Sequence, residues 1–330
     1  MKKFKLSIIA LMTFFVALCI YWAVGRNVMI DYIEARTKTL QSEGYSVVHK
    51  GLSVGGFPVK FRASFAAPDM TSPRELEKPW SIKADALRVE ALTLNPLYWR
   101  GTHRGDARLD LRGPKGERWL FDVRPFNIDF TAKLGFDGQL KSFDAIGSKL
   151  NTQAVIGTLP PIVAIEEANM SAHPEDGSMR YALSLQNVFL EKNALKGFQA
   201  IFGPRIESLS GTILAEGLTG LDALPVEKWA ETGRLKGDDW VIKWGDTVFN
   251  GRADLTSLET GLSGVIHLDV DDINILLDRF EAANVFTARQ TRNAKLASML
   301  LPVNEQGRQE ITLTLRDGYL TLFGQKIVEL

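Results

Sequence analysis

The chain has 330 residues, 45% hydrophobic and 24% charged, a composition that excludes wholesale disorder. Lysine and arginine balance aspartate and glutamate at 39 each, so no basic excess suggests a nucleic-acid partner. A single cysteine excludes an internal disulfide framework and cysteine-rich metal sites.

The first elements in the chain are a cationic flank and an apolar run. Lys2, Lys3 and Lys5 precede Leu6–Val24, interrupted only by Ser7 and Thr13 and free of charge. At about 1.5 Å per residue the run spans roughly 28 Å, the thickness of a hydrocarbon core. Tyr21 and Trp22 stand near its far end, where amphipathic rings favour the interface. The lysines predict a cytoplasmic N-terminus, with residues 26–330 exported. The expectation is an uncleaved anchor over residues 1–25. A cleaved signal peptide ending at Ala23-Val24-Gly25 is the competing reading, disfavoured because the run exceeds the usual signal length. Cys19 reads as a small lipid-facing side chain. Without the three lysines the remainder is mildly acidic, which gives it no general attraction to an anionic surface.

Asn27–Glu43 continues as a helix, with Val28, Ile33 and Leu40 at helical spacing and Gly44 as its C-cap, packed on a sheet that covers Ile33 and Leu40. From Tyr45 the period becomes two. Val59, Phe61, Ala63 and Phe65 alternate with polar residues, as do Ala107–Leu111 and Phe126–Leu134; Met179–Leu185 alternates with shorter or polar residues, and Leu209–Ile213, Trp240–Trp244, Phe249–Leu255, Leu262–Leu268 and Ile311–Leu315 continue the period of two. Such alternation marks antiparallel strands with one dry and one wet face. Turn pairs such as Asp176-Gly177 and Gly245-Asp246 are spaced for a meander rather than βαβ crossovers. Helices are expected at Leu224–Glu231, at Asp271–Ala283 with Asp271 as N-cap, and from Thr287 to about Leu301. Gln290 completes a capping box on the last, and Leu296, Met299 and Leu300 are expected to face inward. A D-G-x-L-x-x-F pattern occurs at Asp137–Phe143 and again at Asp317–Phe323, each after an alternating strand. It raises two alternatives, two related halves dividing near residue 190 or the chance recurrence of a common hairpin signal.

The chemistry-bearing motifs are weak. Gly51-Leu52-Ser53-Val54-Gly55 fits the G-x-S-x-G pattern, but a nucleophile elbow needs a helix after the serine, and Gly56-Phe57-Pro58 and another strand follow. The four histidines lack metal-ligand spacing, and Asp269–Asn274 lacks the glycine and distal glutamate of a calcium loop. No phosphate-binding or dinucleotide fingerprint is present. The expectation is a non-enzymatic protein with no cofactor, no metal and no catalytic residues.

Gly56-Phe57-Pro58-Val59-Lys60-Phe61 after the anchor and the helix ending at Gly44-Tyr45, the Trp80–Pro96 stretch, and the late helical pair followed by strand, Asp317-Gly318 and strand resemble the alphaproteobacterial envelope family called domain of unknown function 2125. Lys60 departs mildly from that pattern, in which arginine is more usual. The resemblance implies an envelope location and carries no activity or catalytic residues. More distantly the pattern is similar to AsmA-like envelope proteins, whose curved sheets with an apolar inner face are linked to lipid movement, which carries function only as a fold-level analogy.

These readings combine into one expectation. It is a mainly β, α+β protein of the inner membrane: one N-terminal transmembrane helix, then a periplasmic domain of curved antiparallel sheet forming a groove or a sandwich, with the late helices covering one end. The first function expected is binding or transfer of membrane lipid in envelope maintenance, with Phe61, Phe65, Phe130, Ile266 and Leu268 lining the groove. The second is a scaffold or assembly factor with a closed core and an envelope protein partner.

Overall fold

Lysines, a charge-free apolar stretch and an amphipathic stretch run without proline into one 41-residue helix, α1 (Lys2–Ser42). It stops at Gly44, whose φ of +89° is open to glycine at little cost. Tyr45 N–H donates to Leu40 O at 3.0 Å and Gly44 N–H to Gln41 O at 3.1 Å, the paired bonds of a Schellman cap. The computed structural model describes every residue except 1, 77, 113–115, 137–138, 158–160, 193, 195, 222–228, 230, 259–260, 302, 305–306, 317 and 330. The expected helix at Leu224–Glu231 and the Asp137 and Asp317 turns therefore lie wholly or partly outside the described residues.

Antiparallel strands make up most of the chain beyond α1. The first eleven are β1 (Ser46–Val48), β2 (Gly51–Gly55), β3 (Lys60–Ala66), β4 (Asp69–Thr71), β5 (Ser81–Ala84), β6 (Ala86–Leu92), β7 (Asn95–His103), β8 (Ala107–Arg112), β9 (Arg118–Val123), β10 (Asn127–Leu134) and β11 (Leu140–Gly157). They form two layers joined along a crease. One layer runs β2-β3-β6-β7-β10-β11 and the other β1-β4-β5-β8-β9-β11. β11 belongs to both: residues up to Ser148 pair with β10, and Thr152–Gly157 pair with β9. The chain turns the corner at Ala67, Gly105 and Lys149, all at positive φ. Backbone bonds stitch successive corners together, Ala67 N–H to Asp85 O at 2.8 Å, Asp85 N–H to Asp106 O at 3.2 Å and Phe126 N–H to Gly105 O at 2.7 Å.

From β11 the sheet continues as a meander through β12 (Ile162–Glu175), β13 (Ser178–Leu190), β14 (Arg205–Glu216), β15 (Arg234–Trp244), β16 (Thr247–Leu258), β17 (Gly261–Val270), β18 (Gln309–Arg316), β19 (Tyr319–Leu322) and β20 (Gln325–Glu329). The strands are antiparallel, as the alternation predicted, and the sheet is curved and does not close. Both D-G-x-L-x-x-F segments join neighbouring antiparallel strands, β10 to β11 and β18 to β19. Residue 190 is the end of β13.

Among the described residues, three short helices, α2 (Lys196–Phe202), α3 (Ile273–Ala282) and α4 (Ala288–Ser298), lie on one face of the late strands. Ile273, Leu276, Leu277 and Phe280 of α3 pack with Phe202, Trp244, Val270, Ile311 and Leu313 into the principal core. Two expectations need correction. The N-cap of α3 is Asp272, whose carboxylate accepts from Asn274 and Ile275 N–H; Asp271 instead pairs with Arg308 at 2.6 Å. On α4 the Thr287–Gln290 capping box is present, but the inward face is Thr291, Ala294 and Ser298. Small side chains let the helix approach closely, so Leu296, Met299 and Leu300 are turned out to solvent.

Candidate functional site

Antiparallel register puts directly paired residues on the same face of a sheet. Following one row across successive strands gives Phe61, Ala91, Trp99, Ala132, Phe143, Ala172, Tyr181, Ile213, Gly237, Ala253, Ile266, Leu313 and Leu322. No charged residue interrupts it. A second row passes from Phe130 through Ala145, Met170 and Leu183 to Gly211. Beyond a bulge in β14–β15 pairing it resumes through Trp240, Gly251, Leu268 and Ile311. A third includes Phe65, Leu87, His103, Ile128, Gly147, Ala168, Leu185, Leu209, Ile242 and Phe249. Phe61, Phe65, Phe130, Ile266 and Leu268, chosen from alternation alone, thus all face the same side. Together the rows make an apolar trough along the inner face of the sheet.

The trough differs along its length. At the α1 end it deepens between the two layers into a cavity of about 420 Å³ lined by Phe65, Met70, Ile82, Leu87, Phe130 and Phe143 among others. Farther along, Ile213, Trp240, Leu262, Ile266 and Leu268 line a second apolar hollow of about 300 Å³. Both sizes reach the range of small-ligand sites. Between them the floor is open at Met170, which is 45% exposed, whereas Ala172, Met179, Ala215 and Leu218 form a second buried cluster against which Tyr181, Trp229 and Leu235 pack. Beyond the second hollow, α2–α4 close the face over Ile311, Leu313 and Leu322. At the other end α1 covers Phe61, which is 5% exposed, so this residue packs on the helix rather than facing open trough.

Glycines keep the floor low and aromatic rings fill the space. A Cβ on Gly211 or Gly237 would fall within 2.7 or 2.3 Å of the Trp240 ring. The Phe130 ring stands 5.7 Å from that of Phe143. These partners were not visible in the sequence, because a row depends on register across strands that are far apart in the chain.

Polar chemistry in the trough is sparse. His49 Nδ1 and His103 Nε2, on residues lining the larger cavity, are buried without a hydrogen-bond partner. Charges gather on the outside of the crease. Asp122 receives Arg108 Nε at 2.7 Å and Arg124 at 2.5 Å, and these bonds, those of Arg108 first, hold its carboxyl below the ordinary aspartate range. Ser53 lies within β2 and a turn and β3 follow it. Among the described residues no group of three or more histidine, cysteine or acidic side chains converges as a metal ion requires.

The class this defines is an open, curved antiparallel sheet with an apolar inner face, preceded by one helix that is long and apolar enough to cross a membrane. A family model described as an uncharacterised protein conserved in bacteria, DUF2125, matches residues 22–329, and the chain belongs to that family. No curated protein and no solved structure matches it.

Proposed function

We propose that the protein holds the hydrocarbon part of a membrane lipid, or of a similar amphiphile, in the trough, as a non-enzymatic component of the envelope. The observation that carries this reading is the set of three register-aligned apolar rows, which stay partly open to solvent between two apolar hollows. Exposed apolar surface of that extent on a monomer is an interaction surface. An alkyl chain laid along it gains about 25 cal/mol per Å² of apolar area removed from water, with no covalent chemistry. α1 would keep the domain beside its lipid source in the inner membrane, with the lysine flank cytoplasmic and the sheet in the periplasm.

The test is photocrosslinking of the full chain in membranes, with benzoylphenylalanine at Met170 on the trough floor or at Asn169, its neighbour on the opposite face. Phospholipid adducts at 170 and not at 169 are expected. No adduct at 170 in a chain that is folded and membrane-associated refutes lipid occupancy.

A second reading, a scaffold with a protein partner, is favoured by a different surface. Ile275, Leu296, Met299, Leu300 and Val303 are exposed around α3 and α4, beyond the closed part of the core. Charged substitution at Met299 and Leu300 that abolishes function while leaving lipid adducts at 170 intact would favour this reading.

A further inference from the structure

The connection between β2 and β3 is the tip Gly56-Phe57-Pro58-Val59, and that between β6 and β7 is the tip Thr93-Leu94. Register places them side by side, with Lys60 opposite Leu92. Thr93 N–H donates to Val59 O at 2.9 Å and its hydroxyl donates to Pro58 O at 2.9 Å. Neither tip carries a charge, yet Val59 is 64% and Leu94 90% exposed. With Phe57 and Leu92, also exposed, they gather four apolar side chains at this end of the sheet, and exposed apolar residues in a group mark an interaction site.

α1 fixes their level. Tyr21 Oη donates to Thr93 O at 3.0 Å and Trp22 Nε1 to Lys60 O at 3.1 Å. The Phe57 ring contacts both Phe15 and Trp22, at centroid distances of 6.2 and 5.4 Å. Phe57 is therefore level with the stretch of helix between residues 15 and 22, inside the apolar run that ends at Val24. Counting from the middle of that stretch to Val24 at about 1.5 Å per residue puts Phe57 roughly 8 Å inside the end of the run. An apolar group resting in a bilayer interface is buried by about 5–10 Å. The first basic group beyond the run, Arg26, donates to Val54 O at 3.2 Å, two residues before the tip begins, at the level suited to headgroups.

The geometry points to a second membrane attachment: the Phe57–Val59 and Thr93–Leu94 tips enter the lipid leaflet from which α1 emerges, and they stand the sheet upright on the membrane. This rests on reading α1 as a membrane anchor. Its occupant is lipid rather than a protein because the tips are continuous with the lipid-spanning face of α1.

The experiment uses the full chain in phosphatidylcholine–phosphatidylglycerol nanodiscs, with a polarity-sensitive fluorophore on a single cysteine. Native Cys19 reports α1 alone. In a Cys19→Ser background, Leu94→Cys reports the tip, and Asp246→Cys reports the exposed β15–β16 turn at the opposite end of the strands. The expected result is blue-shifted emission at 94 and several-fold stronger quenching there by doxyl-labelled lipid than by iodide, with the reverse at 246. Lipid quenching at 19 combined with iodide quenching at 94 overturns the tip attachment and leaves the anchor standing. A probe at 94 shielded from both quenchers overturns it in favour of a protein cover. Iodide quenching at 19 removes the anchor and the proposal with it.

Discussion

The ring of Phe130 lies across the backbone of Gly101, its register partner on the neighbouring strand; a Cβ at Gly101 would sit 1.9 Å from Phe130 Cζ. The absence of a side chain on β7 and the presence of a large one on β10 are thus a single packing decision. It lowers the trough floor and fixes the ring that walls the larger cavity. Gly101→Ala should destabilise the chain by about 1–3 kcal/mol through overpacking. In a Phe130→Ala background the same change should cost much less, leaving a coupling of about 0.5–3 kcal/mol in a denaturation cycle. Strictly additive effects would show that the ring does not occupy this place.

Exposure along the trough makes a second expectation. Leu277 is fully buried in the helix-capped core, whereas Phe130 is only partly covered. Leu277→Ala should cost about 2–5 kcal/mol through transfer and cavity terms. Phe130→Ala should cost about 1–2 kcal/mol in lipid-free protein despite removing more atoms. Melting curves of the two variants decide, and an equal or larger loss at Phe130 would mean that the trough closes in solution.

Much of this architecture was legible in the sequence because one signal, alternation, reports both strand and face. Phe65, Phe130, Ile266 and Leu268 could be assigned to dry faces without knowing their neighbours. The fold-back of the first strands was not legible. It depends on corners at Ala67 and Lys149, residues with no turn signature, held by hydrogen bonds between corners of different strands. The inward face of α4 was misread for a related reason. Leucine and methionine suggest burial, but the closeness of the helix to the core selects Ala294 and Ser298. The capping box at Thr287 was readable because it is wholly local.

Asp122 provides a pH-dependent expectation. Its carboxyl is held below the usual range in the folded chain, chiefly by its hydrogen bond with Arg108 and then by its charge attraction to Arg108 and Arg124. A depressed folded value means that the unfolded chain takes up the proton first as pH falls. The stabilisation is complete above the unfolded value of about 3.9 and is lost as pH drops through the folded value. Asp122→Asn should therefore lower stability at neutral pH, and the difference from the wild type should shrink below about pH 4. A difference that stays constant from pH 7 to pH 3 would place the contribution of Asp122 in its shape rather than its charge.

Gly25 tests how α1 meets the sheet. Glycine inside a helix costs about 0.5–1 kcal/mol relative to alanine, so on propensity alone Gly25→Ala should stabilise α1. Packing opposes this, because a Cβ there would lie 2.5 Å from Phe61 Cζ. Phe61 has little room to yield: Trp22 stacks on its ring at 6.2 Å and 13°, and the residue is 5% exposed. A contact that short forces the helix away from β3, at about 1–3 kcal/mol, which exceeds the propensity gain. Gly25→Ala should thus lower the melting temperature, and Gly25→Leu should lower it further and open residues 26–50 to protease. The apolar run is otherwise intact, so both variants should still fractionate with membranes. A raised melting temperature in Gly25→Ala, with unchanged proteolysis in Gly25→Leu, would mean that α1 does not rest on Phe61.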